Sequence, residues 1–189
     1  MYLPAKIVAI TALCAGFSTY IAAEITQDDR LYFSWDGYRI AHYRSPPKVE
    51  VEGGRRVDTA GVLELLQQEP RPVLLDVQPV GWQDGIFLIT RPRLNVPGSI
   101  WLPNVGLGEP GERLERYFRM HLLEASDGDL QRPIVVYCTA DCWMSWNAVK
   151  RAAGWGFQNL YWYAEGTDGW REAGLELTTG SPVPFPADN

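Results

Sequence analysis

Basic residues are scarce in this sequence. Its 189 residues include 17 lysines and arginines against 23 aspartates and glutamates, so the formal net charge is −6. Proteins that bind nucleic acid usually carry the opposite balance, and this composition therefore argues against a nucleic-acid partner. We find no internal repeat in the sequence, and its length suits one domain with extensions.

Histidine and cysteine are also rare, with two histidines and three cysteines in the whole sequence. The C-x-x-x-C spacing of Cys138 and Cys142 matches neither a C-x-x-C zinc clip nor a C-x-x-C-H haem attachment sequence. Soft thiolates suit Cu(I), so copper held by the pair with His42 or His121 stays an alternative. We predict no metal ligand from this pattern.

A long uncharged segment occurs only at the N-terminus. It follows Lys6 and ends at the small residues Ala22 and Ala23. This pattern is typical of a secretory signal peptide, and the segment is too short and too weakly apolar for a typical transmembrane helix. We therefore predict that residues 1–23 are cleaved and that the mature protein is secreted without a membrane segment. An uncleaved membrane anchor is the alternative.

Cleavage of this segment would remove Cys14 and leave Cys138 and Cys142 as the cysteines of the mature protein. Thiols in an oxidising compartment tend to be paired, so these two are considered as a pair. A disulfide over so short a loop would contribute only about 2 kcal/mol by chain entropy. A structural disulfide, a reversible redox pair and a persulfide carrier all remain open.

Short apolar runs alternate with helical patterns through the middle of the chain. Strands are predicted at residues 72–77, 98–103, 133–137 and 160–163, and helices from Asp58-Thr59 and at 112–123, 143–153 and 166–173. This order predicts an α/β fold with a small, mostly parallel sheet flanked by helices. Thr59 is the candidate N-cap of the first helix. Residues 78–97 have no clear period, and so long a connection is often functional.

The cysteine loop follows the third predicted strand and enters a helix. Ligands of parallel sheets bind at this carboxyl edge, and the N–H groups of a helix N-terminus attract anions and thiolates. Asp141 opposes a thiolate because it places a second negative charge beside it. No lysine, arginine or histidine occurs between Cys138 and Lys150 to compensate.

Other residues near the predicted site have two interpretations each. Trp143 and Trp146 share a helix face and could stack on a flat ligand or pack in the core. Asp76 ends a predicted strand, where it could orient a loop or a helix N-terminus by hydrogen bonds or act in acid–base catalysis. Arg91 and Arg93 could pair with an anionic ligand or remain solvated.

Residues 57–176 resemble the rhodanese-like domain. The matching segments are Leu74–Val77, Pro97–Pro103, Val135–Ala153, Asn159–Tyr163 and Trp170–Gly174, together with Gly166. The resemblance implies a rhodanese-like fold in which Cys138 carries a persulfide, cradled by the loop amides, and moves sulfane sulfur. Residues 24–56 are then an N-terminal extension, with a strand or ordered arm at residues 39–44, and residues 177–189 are a C-terminal tail.

The sequence from Cys138 to Trp143 is similar to the C-x-x-x-C-W motif of a periplasmic subgroup associated with PQQ-dependent alcohol catabolism. The resemblance implies a periplasmic protein whose partner belongs to a quinoprotein dehydrogenase pathway. A PQQ-related redox cofactor is implied by family association only. The expected site comprises Cys138 as the attacking thiol, Cys142 as the resolving thiol and disulfide partner, and Thr139, Ala140, Asp141, Trp143, Asp76 and Trp146 as binding residues.

The cysteine loop departs from that of active sulfurtransferases at two positions. Such a loop usually ends in a basic residue, where this sequence has Trp143, and Asp141 stands where a small residue is common. Because thiosulfate is a dianion, the loop predicts weak thiosulfate sulfurtransferase activity. The main hypothesis is a redox or accessory factor for PQQ-dependent alcohol catabolism. The alternatives are a non-catalytic ligand- or partner-binding module and a persulfide-based sulfurtransferase.

Overall fold

The computed structural model describes residues 30–47, 50–83 and 85–186. The predicted signal peptide, residues 1–23, lies outside the described residues. Within the described ranges, no helix is long and apolar enough to cross a membrane.

The described chain forms nine strands and four helices. In chain order they are β1 (Gly54–Val57), α1 (Thr59–Leu65), β2 (Val73–Asp76), β3 (Gly81–Gln83), β4 (Ile86–Leu88), β5 (Arg93–Asn95), β6 (Ile100–Trp101), α2 (Gly111–Ala125), β7 (Ile134–Tyr137), α3 (Trp143–Gly154), β8 (Leu160–Tyr163), α4 (Gly166–Glu172) and β9 (Thr178–Gly180). Five strands form the central sheet in the order β1-β8-β7-β2-β6, and every neighbouring pair is parallel. The predicted α/β class with a mostly parallel sheet is confirmed.

The central strands are buried on both faces. All residues of β2 and β7 are buried, which explains why both read as continuous apolar runs. Leu75 and Val136 face a core shared with α2 and α3. Leu74 and Val135 face the opposite core, which includes residues of α1 and α4. The helices therefore cover the sheet from both sides, and the ends of β2 and β7 lie together at one edge.

The first helix is capped by Asp58, and the prediction that Thr59 caps it is wrong. The Asp58 carboxylate accepts a hydrogen bond from the Gly61 N–H at 2.8 Å, as an N-cap side chain does. The Thr59 hydroxyl donates instead to Glu165 at 2.8 Å. It therefore ties α1 to the segment that precedes α4.

Residues 78–97 contain short antiparallel pairs. Strands β3 and β4 form a hairpin, and β5 pairs with β9, which belongs to the predicted tail 177–189. Strand β1 spans the predicted boundary between residues 56 and 57 and lies at the edge of the central sheet. Both flanking segments thus contribute strands to sheets of the domain.

Residues 30–47 form an arm, hereafter the N-terminal arm, that packs on the start of α3. The backbone N–H of Arg39 donates to Oδ1 of Asn147 at 2.9 Å, and Nδ2 of Asn147 donates to the Arg39 carbonyl at 2.8 Å. Arg44 forms an isolated antiparallel bridge with Cys142. The arm therefore contacts the cysteine loop directly.

Candidate functional site

The cysteine loop joins the carboxyl end of β7 to the N-terminus of α3. Cys138 directly follows β7, and Cys142 is the N-cap residue of α3. The Cys138 carbonyl accepts a hydrogen bond from the Thr167 N–H at 3.1 Å, and Thr139 forms an isolated bridge with Gly166. The start of α4 thus fixes the first half of the loop.

Cys138 and Cys142 form a disulfide pair. Their Cα atoms are 6.4 Å apart, within the range that a disulfide requires. Cys138 is 0% exposed and Cys142 is 2% exposed. Sγ of Cys138 lies 3.2 Å from Oε1 of Gln78, which is half-buried. The Gln78 side chain therefore stands against the buried sulfur.

The loop amides that could cradle a sulfur anion already have protein acceptors at two positions. The Ala140 N–H donates to Oδ2 of Asp168 at 2.9 Å. The Trp143 N–H, at the first turn of α3, donates to the Tyr43 carbonyl at 2.9 Å. A persulfide in this loop would compete with a carboxylate and a carbonyl for these donors, and the Asp168 charge would repel it.

Asp141 is exposed and has a φ of 52°, in the left-handed region. Aspartate tolerates this conformation better than most residues. Asp141, whose charge disfavours a neighbouring thiolate, therefore suits the turn that brings the two cysteines together.

Two arginines reach the loop from distant parts of the chain. Arg44 of the N-terminal arm donates to the Thr139 hydroxyl. Arg93, in β5, donates through Nη2 to the Cys138 carbonyl at 3.3 Å. The absence of a basic residue within the loop is thus partly offset by the fold. The sequence offers no local signal for either contact.

Asp76 connects the end of β2 to this arrangement. Its Oδ2 accepts hydrogen bonds from Nε of Arg93 at 2.8 Å and from Nδ2 of Asn95 at 2.7 Å, and its Oδ1 accepts from the Gln78 N–H at 2.8 Å. Burial raises the pKa of Asp76 to about 6, although Arg93 acts in the opposite direction. The carboxylate orients the loop after β2 and holds Arg93 beside Cys138.

Trp143 and Trp146 are packed in the core. Phe33 of the N-terminal arm makes edge contacts with their rings at centroid distances of 5.3 and 6.4 Å. The Arg39 guanidinium lies 5.0 Å from the Trp143 ring centroid, and Nε1 of Trp143 donates to Ser45 at 3.0 Å. The described arm covers these rings, so they do not provide an open stacking surface for a planar quinone.

A cavity of about 480 Å³ opens beside the disulfide, on the side of Gln78. Arg91 and Arg93 both line it. The Arg93 side chain is only 12% exposed, so the expectation that it remains solvated is wrong for this residue. Arg91 is exposed. Across the described ranges, no group of three or more histidine, cysteine, aspartate or glutamate side chains could hold a metal ion.

The chain belongs to the rhodanese-like domain family, whose model matches residues 59–173. Among curated proteins, no sequence matches it. Among solved structures, a thiosulfate sulfurtransferase from Pseudomonas aeruginosa is 20% identical with a TM-score of 0.50, and the match covers 72% of this chain and 22% of that chain. The polysulfide-sulfur transferase homodimer from Wolinella succinogenes is 25% identical with a TM-score of 0.44, over 68% of this chain and 81% of that chain. We take the Pseudomonas match as support for the fold alone.

Proposed function

We propose that this protein is a periplasmic thiol–disulfide redox protein whose active pair is Cys138 and Cys142. The observation that carries the proposal is the pairing of these cysteines between β7 and α3. A persulfide carrier needs one free cysteine sulfur surrounded by backbone N–H groups that have no other acceptor. Here the sulfur has a partner, and the Ala140 and Trp143 amides have acceptors.

The reaction is an ordinary thiol–disulfide exchange. An incoming thiolate attacks Sγ of Cys138, the Cys138–Cys142 bond breaks, and Cys142 leaves as a thiolate. The N-terminus of α3 stabilises this leaving thiolate, because Cys142 is its N-cap residue. A second thiolate then attacks the sulfur bound to Cys138 and leaves with it as a disulfide. The pair has gained two electrons and two protons, and the reverse sequence oxidises it.

The partner in this proposal is a component of PQQ-dependent alcohol oxidation. This part rests on the similarity of Cys138–Trp143 to the C-x-x-x-C-W motif, and the periplasmic location rests on the sequence of residues 1–23. The covered rings of Trp143 and Trp146 do not favour direct stacking of PQQ at this loop. The proposed role is therefore exchange of electrons with a pathway protein through its thiols.

A second function is favoured by the burial of both cysteines. A disulfide that solvent cannot reach is typical of a structural bridge, and the protein would then be a non-catalytic binding module. The two functions predict different reduction potentials for the Cys138–Cys142 disulfide. Structural disulfides have potentials below about −300 mV, whereas working redox pairs lie higher.

The test is the potential of the Cys138–Cys142 pair in a series of dithiol–disulfide buffers, read by mass after alkylation of free thiols. We expect a potential well above about −300 mV. In parallel, Cys142→Ser should trap a mixed disulfide on Cys138 in a periplasmic extract, and Cys138→Ser is the matched control. A lower potential together with no trapped species would refute the redox function and support the binding module.

Thiosulfate sulfurtransferase activity is measured on the same preparations. We expect little transfer of sulfur from thiosulfate to cyanide, because Asp168 and the Tyr43 carbonyl occupy loop donors. Robust transfer that is lost in Cys138→Ser but kept in Cys142→Ser would instead support the sulfurtransferase alternative.

A further inference from the structure

The cavity beside the disulfide has a positive wall and an apolar wall. Arg91 and Arg93 lie on one side, and Val80 and Leu88 also line it. Its volume of about 480 Å³ falls within the range of small-molecule sites. In the described part of the chain, its lining contains no acidic side chain.

The positive charge of this cavity is not fully compensated. Arg93 is paired with Asp76 at 2.7 Å. Arg91 makes no hydrogen bond or ion pair with the residues that the structure describes. Near neutral pH, one unpaired guanidinium therefore faces a cavity with apolar walls. Guanidinium groups bind planar or tetrahedral oxyanions such as carboxylates and phosphates through two parallel hydrogen bonds, so a carboxylate is a well-matched ligand group.

The cavity and the disulfide share one wall. Gln78 lines the cavity, and its Oε1 lies 3.2 Å from Sγ of Cys138. The backbone of Gln78 is fixed, since its N–H donates to Asp76 at 2.8 Å and its carbonyl accepts from Nε1 of Trp101 at 2.9 Å. The Gln78 side chain therefore lies between this cavity and the buried sulfur of Cys138.

We propose that this cavity binds a small organic carboxylate that carries a thiol or a disulfide and presents its sulfur to Cys138. The inference rests on the proposed redox function and names the class of substrate for its site. In the oxidising direction, the Cys138 thiolate attacks one sulfur of a small acidic disulfide and releases one thiolate. The Cys142 thiolate then attacks Cys138 and releases the second. One protein disulfide forms and one small disulfide becomes two thiols.

Binding is tested with adipate, which has the same number of chain atoms as dithiodiglycolate but contains two methylene groups in place of the two sulfurs. Calorimetric titration of the oxidised wild type should show saturable binding. Arg91→Gln should weaken that binding about fivefold, the effect of one exposed ion pair. Arg71→Gln is the matched control, because Arg71 is exposed and precedes β2 at the opposite edge of the sheet. It should leave binding unchanged.

Exchange is tested with three disulfides that differ in charge: dithiodiglycolate, hydroxyethyl disulfide and cystamine. The reduced wild type and the reduced Arg91→Gln variant are mixed with each, and the rates are compared. The variant-to-wild-type ratio cancels the intrinsic reactivity of each disulfide. We expect the ratio of the variant's rate to the wild-type rate to be about one fifth for dithiodiglycolate. The ratio should be about one for the neutral hydroxyethyl disulfide and more than one for cystamine.

The outcomes separate the inference from the function on which it rests. Adipate binding that depends on Arg91, without any exchange with the three disulfides, overturns the proposed sulfur substrate, while the reduction potential of the pair still decides the redox function. Exchange with the same variant-to-wild-type ratio for all three disulfides supports the redox function and overturns the acidic substrate. Adipate binding that Arg71→Gln weakens as much as Arg91→Gln does reflects net charge alone and also overturns the site.

Discussion

Protonation of Asp76 should stabilise the protein as the pH falls. Burial raises the pKa of Asp76 from 3.8 to about 6 in the folded state. A carboxyl group with a raised pKa contributes its full stabilisation below the unfolded pKa and loses it as the pH rises through the folded value. The relevant window is therefore about pH 4 to pH 7.

The size of the effect follows from the two pKa values. Ionisation of the buried carboxyl group at pH 7 costs the folded state about 3 kcal/mol relative to the fully protonated protein. Between pH 7 and pH 4.5, the contribution of Asp76 to the free energy of unfolding should rise by about 2 kcal/mol. Other groups also titrate in this range, so the measurement must isolate Asp76.

The assay is urea unfolding of the wild type and Asp76→Asn at pH 4.5, 5.5, 6.5 and 7. The difference in unfolding free energy between the two proteins should change by about 2 kcal/mol across the series. Asp129→Asn is the matched control: Asp129 is exposed and accepts from the Gln131 N–H at 2.8 Å, as Asp76 accepts from the Gln78 N–H. A pH-independent difference for Asp76→Asn would refute the reasoning.

Two further predictions concern the surroundings of Cys138. Gln78→Ala should speed reduction of the disulfide by a small thiol several-fold. The variant removes the side chain that lies 3.2 Å from Sγ of Cys138, and it keeps both backbone hydrogen bonds of residue 78. An unchanged reduction rate in a stopped-flow assay would contradict access to Cys138 from this side. Gly166→Ala should lower the free energy of unfolding by more than Gly174→Ala. Both glycines have a positive φ, and this backbone conformation alone should cost each variant about 1 kcal/mol. Only at Gly166 would the new Cβ meet the Cys138 carbonyl oxygen, at 2.4 Å, and equal losses in urea would contradict that contact.

The fold could be predicted where buried strands and amphipathic helices leave strong patterns. Strands β2 and β7 are short apolar runs, and α2 shows regular helical spacing of its buried residues. The sequence of β1 gives no such signal, since its exposed positions are Arg55 and Arg56. Their guanidinium groups lie over the rings of Tyr161 and Trp162, at 4.4 and 5.2 Å from the centroids. Cation–π contacts take the place of apolar packing at this edge.

The position of the cysteine loop was also predictable, because its motif is continuous in sequence. Its electrostatic surroundings were not. The contacts of Arg44 with Thr139 and of Arg93 with Cys138 join residues that are 95 and 45 positions apart. The choice between a stacking and a packing role for Trp143 depends on Phe33, which lies in the N-terminal arm. Local patterns cannot show which distant side chain covers a residue.

The acceptors around the loop support the proposed exchange over sulfur transfer. A terminal persulfide keeps its charge on the outer sulfur, so it depends on open N–H donors around it. A disulfide carries no charge and does not depend on N–H donors. The hydrogen bonds from Ala140 to Asp168 and from Trp143 to Tyr43 therefore do not oppose it. In the proposed exchange, the charge develops on Cys142 at the N-terminus of α3, where the helix dipole is favourable. The same arrangement therefore disfavours a resting persulfide and permits a transient thiolate.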